Sequence, residues 1–537
     1  MKDAVLVTSG DLRESANKTC WPAQLELETK LIACFARYGV TLRRAFPVDP
    51  KRGNGFISTQ RMGMDVFNSI DSDTNLIFAT AAWQYTHHVL PGMRNHRGPI
   101  LTVANWSGTW PGLVGLLNLN GSLVKAGVPF SSLWSESFDD PFFTSGLKEW
   151  IHTKAIKHDS SHVRDLNINQ LSSEAQDLGS QLASKLKRQK IILGVFDEGC
   201  MGMYNAIIDD ELLNSLGFFK ERLSQSALVA RMQTIAPNDA QGVRDWLSRK
   251  GMTFKTGPDP HTNLTEEQLL KQCAMYIAAI RIASEFSCDA IGIQYQQGLK
   301  DSVPASDLVE GLLNNADRPP VWDESNEQEL YEGRPLPHFN EVDECAGVDS
   351  VLTNWCWNAL GLDSSTTLHD VRWGQMYEDA DMSAFVWVLQ ISGGAPPNHF
   401  VDGYRGASSE RQPSMYFPLG GGTLKGVGRK GPIVWSRIFV EKGALHLDIG
   451  LGDVVELPKD ELERRWKHTT SQWPIVNAIF HGVSRDAFMA RHRANHVNIA
   501  YCPNRRTSMR ALEVKAAMAA GLGINVHLCG DALSVRD

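Results

Sequence analysis

The chain has 537 residues, 42% hydrophobic and 21% charged, with 24 Pro and 45 Gly, the composition of a globular protein long enough for several cores. A net charge of −8 and a pI near 6.1 argue against a broadly basic surface, so neither nucleic acid nor membrane is expected as a partner. No run approaches the roughly 18 apolar residues of a membrane span, and residues 1–7 do not form a signal peptide, so a cytoplasmic protein is expected.

The nine Cys, at 20, 34, 200, 273, 288, 345, 356, 502 and 529, form no C-x-x-C pair. Buried thiols in a reducing compartment are expected, with a reactive thiol as the second reading for Cys345 and Cys502.

In chain order, residues 4–7 read as a buried strand, 10–15 as a turn, and 23–38 as an amphipathic helix closed by Gly39. Apolar runs at 76–79, 100–103 and 128–133 alternate with helical or loop segments, the pattern of a doubly wound parallel sheet. After a helix over 174–187 the alternation resumes, with strands at 190–196 and 290–294 and helices at 239–250 and 266–286. Residues 314–337, rich in Pro and acidic side chains, read as a surface insertion.

Next comes Asn340-Glu341-Val342-Asp343-Glu344-Cys345-Ala346-Gly347. A short helix over 348–362, ended by Gly361, leads to His369-Asp370-Val371-Arg372-Trp373 and would bring Glu341 and Asp370 to one sheet edge. Ionised carboxylates are hard, acceptor-only ligands, and two of them with one imidazole suit Mn²⁺ or Mg²⁺ better than Zn²⁺ or copper. Glu341 and Asp370 are therefore candidate metal-binding carboxylates that need a nitrogen donor. The competing reading is solvated or helix-capping residues.

Beyond residue 370, strands at 384–391, 433–440 and 444–449 follow with little helix, the last two joined by a hairpin turn at Glu441-Lys442-Gly443. A helix over 508–520, N-capped by Ser508, and a strand at 524–528 complete the chain. The fold class is α/β. Two N-terminal doubly wound parallel-sheet (Rossmann-like) domains, residues 1–165 and 166–360, precede a C-terminal mainly antiparallel β domain with flanking helices, residues 361–537.

Residues 420–428 are Gly-rich but lack the helix and the G-K-[ST] ending of a phosphate loop, so a flexible or hairpin loop is expected. His492 and His496 have the spacing of helical zinc ligands, yet the glutamate of H-E-x-x-H is missing. His87, His88, His158 and His162 read as surface histidines. Trp83, Trp106, Trp110 and Trp373 either line a sugar pocket or pack in cores.

With these pieces placed, the chain resembles the L-fucose isomerase family. The resemblance runs through Arg13-Glu14-Ser15, residues 106–112 (Trp-Ser-Gly-Thr-Trp-Pro-Gly), Met201-Gly202-Met203 with Ile207-Ile208-Asp209, and Gly292-Ile293-Gln294-Tyr295-Gln296 with Asp301. It continues through the two carboxylate stretches, Phe417-Pro418-Leu419-Gly420-Gly421, Glu456-Leu457-Pro458-Lys459-Asp460 and Ala494-Asn495-His496-Val497.

The resemblance implies metal ligation by Glu341, Asp370 and His496, with Glu341 and Asp370 also the acid–base pair. It implies substrate contacts from Gln294, Asn495, Ser392, Trp83 and Arg13. The expected cofactor is Mn²⁺, with Mg²⁺ or another divalent cation as substitute, and no nucleotide. The implied reaction is aldose–ketose (ketol) isomerisation of a free sugar through an ene-diol, in a homo-oligomer, hexameric by resemblance. Two alternatives stay open. One is a modified or anionic sugar whose acid group pairs with Arg13, Arg505 or Arg506; the other is a non-catalytic sugar-binding protein on the same fold.

Overall fold

The computed structural model describes residues 1–325 and 327–532. Strand β1 (Asp3–Val7) is apolar on both faces because helices cover both sides of its sheet. It is joined by β2 (Thr41–Arg44), β3 (Leu76–Thr80), β4 (Ile100–Asn105) and β5 (Ser131–Ser135), all parallel in the order β2-β1-β3-β4-β5. Ala4, Leu6, Ile77, Leu101 and Leu133 pack under helices Glu14–Arg37 and Pro141–Thr153. Val5, Val7, Leu76, Phe78 and Ile100 pack under Gln60–Asn68 and Gly112–Ala126.

Two local expectations change here. The first helix starts at Glu14 and runs through Pro22; the hydrogen bond forfeited there is outweighed by the buried face Cys20, Trp21, Gln24, Leu27 and Leu31. The strand expected from residue 128 starts at Ser131, because the preceding helix runs to Ala126 and ends on Gly127 at φ 69°.

The short β6 (Val163–Asp165) leaves this sheet and pairs with the last strand of the chain. Then come β7 (Ile191–Phe196), β8 (Phe218–Leu223), the two-residue β9 (Thr253–Phe254) and β10 (Ala290–Ile293). A three-stranded parallel sheet forms in the order β10-β7-β8, flanked by helices that include Glu266–Glu285, which opens on a Thr265–Gln268 capping box. The segment expected as a surface insertion at 314–337 is exposed over much of 322–325 and 327–334 but anchored at both ends. Asn314, Asn315, Val321 and Leu336 are buried, and the Arg318 guanidinium donates to Tyr276 Oη (2.9 Å) and the Tyr331 carbonyl (3.0 Å).

The remaining strands are β11 (Thr367–Glu378), β12 (Ser383–Gln390), β13 (Ser408–Ser409), β14 (Gly431–Glu441), β15 (Ala444–Val454), β16 (Val476–Phe480), β17 (His496–Tyr501) and β18 (Asn525–Cys529). All but β13 join an eight-stranded sheet in the order β14-β17-β11-β12-β16-β15-β18-β6, and β14 also pairs with β15, closing the first six into a ring. The β15–β18 pairing is parallel, so the sheet is mixed. Lys442 and Gly443, at φ 50° and 72°, form the two-residue hairpin turn.

Helix Arg505–Leu522 is capped by Asn504, whose Oδ1 accepts from the Thr507 N–H (2.9 Å), not by Ser508. Helix Ser173–Gln189 lies on it closely enough that a Cβ at Gly179 would stand 2.5 Å from the Ala517 methyl. The glycine run 420–428 is a buried tie, not a flexible loop. Leu424, Lys425 and Val427 bridge to Gly394, Ser408 and Ile475, and Gln272 Oε1 accepts from the Gly422 N–H (2.7 Å). Among the described residues, no helix is long and apolar enough to cross a membrane.

Candidate active site

Glu341 is placed by the segment that follows β10. His338 bridges to Ile291, and Phe339 packs between two glycines: a Cβ would stand 2.4 Å from its ring at Gly292 and 2.9 Å at Gly347. The turn Asn340–Val342 then holds Glu341 and Val342 at φ 60° and 56°, a conformation that costs a non-glycine residue on the order of 1–3 kcal/mol. Asp343 Oδ1 accepts from the Ala346 N–H (2.9 Å) and caps helix Glu344–Ala359, which begins earlier than expected because of that cap.

Asp370 and His496 stand directly opposite each other on β11 and β17. His496 is fully buried. Its Nδ1 hydrogen-bonds Asp343 Oδ2 at 2.8 Å, and Arg437 Nη1 donates to the same oxygen at 2.6 Å. Its Nε2 lies 3.3 Å from Asp370 Oδ1 and 3.7 Å from Glu341 Oε2. Asn495 Nδ2 donates to Asp370 Oδ1 (3.2 Å).

Burial works against charge on Asp343, but Arg437 and His496 overcome it and hold the carboxyl near 2. Burial, with the charge of Asp370 added, pushes Glu341 up to about 8 against the pull of His496. For His496 burial is again the opposing cause, and its hydrogen bond to Asp343 with the close Asp370 carboxylate raises it to about 10. The arrangement favours positive charge between the imidazole and the two carboxylates.

Ligands of one divalent ion with bonds of ~2.1 Å stand roughly 3 Å apart. The separations at Nε2 are slightly wider, and among the described residues no group of three His, Cys, Asp or Glu side chains is already arranged to hold a metal ion. The donor set is nonetheless the one a hard cation takes. Asp343 commits Nδ1, so Nε2, a buried atom with no hydrogen-bond partner of good geometry, faces two carboxylate oxygens; small rotations of the carboxylates would close the set.

These groups border a cavity with about 470 Å³ of atom-free space, mouth included. Arg13, Trp83, Glu341, Asp370 and Ser392 line it; Gln296 does so too, whereas Gln294 is not among the lining residues. Asn495 and His496 stand fully buried behind the carboxylates. Arg372, Tyr416 and Trp473 complete the polar and aromatic wall. Of the other tryptophans, Trp106 and Trp373 belong to a core cluster, and Trp110 packs at the edge of another.

Further expectations fall here. His492 ends helix Arg485–Arg491 and donates from Nε2 to the His496 carbonyl (2.9 Å), so the two histidines share no helix face. His88 is buried against Tyr85 and not at the surface, and burial pushes it down to about 4. Cys345 and Cys502 are buried and pushed up to about 12 by desolvation, which removes the reactive-thiol reading.

Asp343, Arg437, Arg372, Gln296, Tyr416 and Trp473 were not singled out from sequence. Asp343 carried a signal, an Asp just before a helical run. Arg437 carried none, since its partner lies 94 positions away. No protein-family model matches the chain, and no curated protein matches it.

Proposed function

We propose that this chain is a divalent-cation-dependent aldose–ketose isomerase acting on a free sugar, with Mn²⁺ the favoured ion and no nucleotide cofactor. The observation that carries the reading is the His496 ring, tied to Asp343 at Nδ1 and offering Nε2 to Glu341 and Asp370 at the wall of a cavity. Glu341, Asp370 and His496 would hold the cation, which supplies Lewis-acid stabilisation of charge developing on neighbouring sugar oxygens.

The remaining chemistry belongs to the protein. Glu341 and Asp370 are the carboxylates available to move hydrogen between C1 and C2. Asn495 fixes one oxygen of Asp370. Ser392 and Gln296 offer hydrogen bonds to hydroxyls, and Gln296 Oε1 is buried without a protein partner. Trp83, Tyr416 and Trp473 offer ring faces to sugar C–H groups and keep water out.

The test is ketose formation by chelator-stripped protein on a panel of neutral and acidic aldoses, with and without added Mn²⁺. Turnover that appears only with the cation and is lost in Glu341→Gln is expected. Saturable sugar binding with no ketose from any member would replace the isomerase with a sugar-binding protein.

A further inference from the structure

We infer that the substrate carries an anionic group, a carboxylate or a phosphate, and that Arg372 receives it. This rests on the isomerase reading and names its substrate class. In β11, Val371 pairs with Leu389 and Trp373 with Val388, so Arg372 is the extra residue of a β-bulge. Bulges re-aim side chains at barrel rims and beside active sites, and Arg372 lines the same cavity as Asp370.

Arg372 is 2% exposed. Among the described residues its guanidinium makes one hydrogen bond, from Nη1 to the Trp110 carbonyl (2.9 Å), and its Nε is buried with no partner. It has no ion-pair partner among the described residues, and the Asp370 carboxylate acts on it only at longer range. Of the other buried guanidiniums, Arg13 pairs with Asp11, Arg437 with Asp343 and Arg465 with Glu461; the less deeply buried Arg493 shares the pattern of one carbonyl partner and a free Nε, but it does not line the cavity. Arg318 and Arg411 lack a carboxylate but spread their donors over several oxygens.

A buried, unpaired cation is costly, and the missing anion is one the cavity admits. A neutral sugar hydroxyl would satisfy a donor and leave the guanidinium without an ion-pair partner. A planar fork with open donors suits two oxygens of a carboxylate or phosphate. The arginines expected to take this role do not fit it. Arg13 is neutralised by Asp11 through Nε and Nη2 (3.0 and 2.8 Å), and Arg505 and Arg506 are exposed at the start of a helix.

The test is binding to the Mn²⁺-loaded protein, by calorimetry and by intrinsic tryptophan fluorescence. Its ligands are aldopentoses and aldohexoses matched with their uronates and terminal phosphate esters. In at least one matched set an anionic member should bind about tenfold or more tightly than its neutral partner. Arg372→Met should remove that preference and Arg372→Lys should keep part of it. Uronate against phosphate identifies the anion.

Equal binding of neutral and anionic members throughout, or a preference that survives Arg372→Met, would overturn the assignment. The wild-type comparison decides even if a variant fails to fold. Preference without ketose formation sinks the isomerase and leaves the anion site; ketose formation from neutral aldoses without any preference does the reverse.

Discussion

Asp343 Oδ2 accepts from Nδ1 of His496 at 2.8 Å, and this one contact sets which imidazole nitrogen faces the carboxylates of Glu341 and Asp370. Asp343→Asn should lower divalent-cation affinity about 10–100-fold, the usual effect of removing such a supporting carboxylate. It also leaves Arg437 buried beside a neutral group, so stability should fall by about 3 kcal/mol. Metal titration and urea unfolding read the two effects separately.

Glu341 and Val342 both sit at positive φ. Glycine reaches that region without strain, and removing a buried carboxyl relieves a second cost. Glu341→Gly should therefore stabilise the metal-free protein by about 1–2 kcal/mol while abolishing cation binding. A loss of stability in urea would show that the side chain anchors the turn instead.

Gly292 leaves room for Phe339, the residue two before Glu341, and a Cβ there would come within 2.4 Å of the ring. Gly292→Ala should cost about 1–3 kcal/mol by overpacking and weaken cation binding by displacing the turn. Unaltered binding in a destabilised variant would show that the turn is held independently of Phe339.

Asp307 gives a pH dependence with a definite sign. It is buried, its Oδ2 has no partner, and desolvation pushes it up from 3.8 to about 7. The folded state therefore holds this proton to higher pH than the unfolded chain, and stability falls as pH rises from about 4 to 7. Asp307→Asn should be more stable than the parent at pH 8, with the difference shrinking toward pH 4, and it should also relieve the neighbouring Glu310, whose carboxyl is raised by burial and by Asp307. Unfolding free energies at several pH values check this, and a pH-independent difference would contradict it.

The elements legible in the sequence are those with a strong local pattern. Ala4 to Val7 and Leu76 to Ala79 are apolar on both faces, and the 266–286 helix carries its own cap. Strand β2 was hidden because only Leu42 in it is buried. The first helix is expected from residue 23, whereas it starts at Glu14 and crosses Pro22. At the site, the carboxylates stood out as paired charges, whereas Arg437 is placed by its strand pairing, Arg372 by a bulge and Trp473 by the turn before β16, none of which a local pattern encodes. Gln294 and Gln296 are the same residue type two positions apart, and only the path of the chain after β10 brings the second to the cavity.

The most direct test is the Mn²⁺ content of purified, stripped and reloaded protein, measured by elemental analysis after dialysis, for the parent and for His496→Asn. One ion per chain in the parent, with none held by the variant, is the predicted result. An absence of retained cation in the parent, or equal retention by both proteins, would contradict a site built from Glu341, Asp370 and His496.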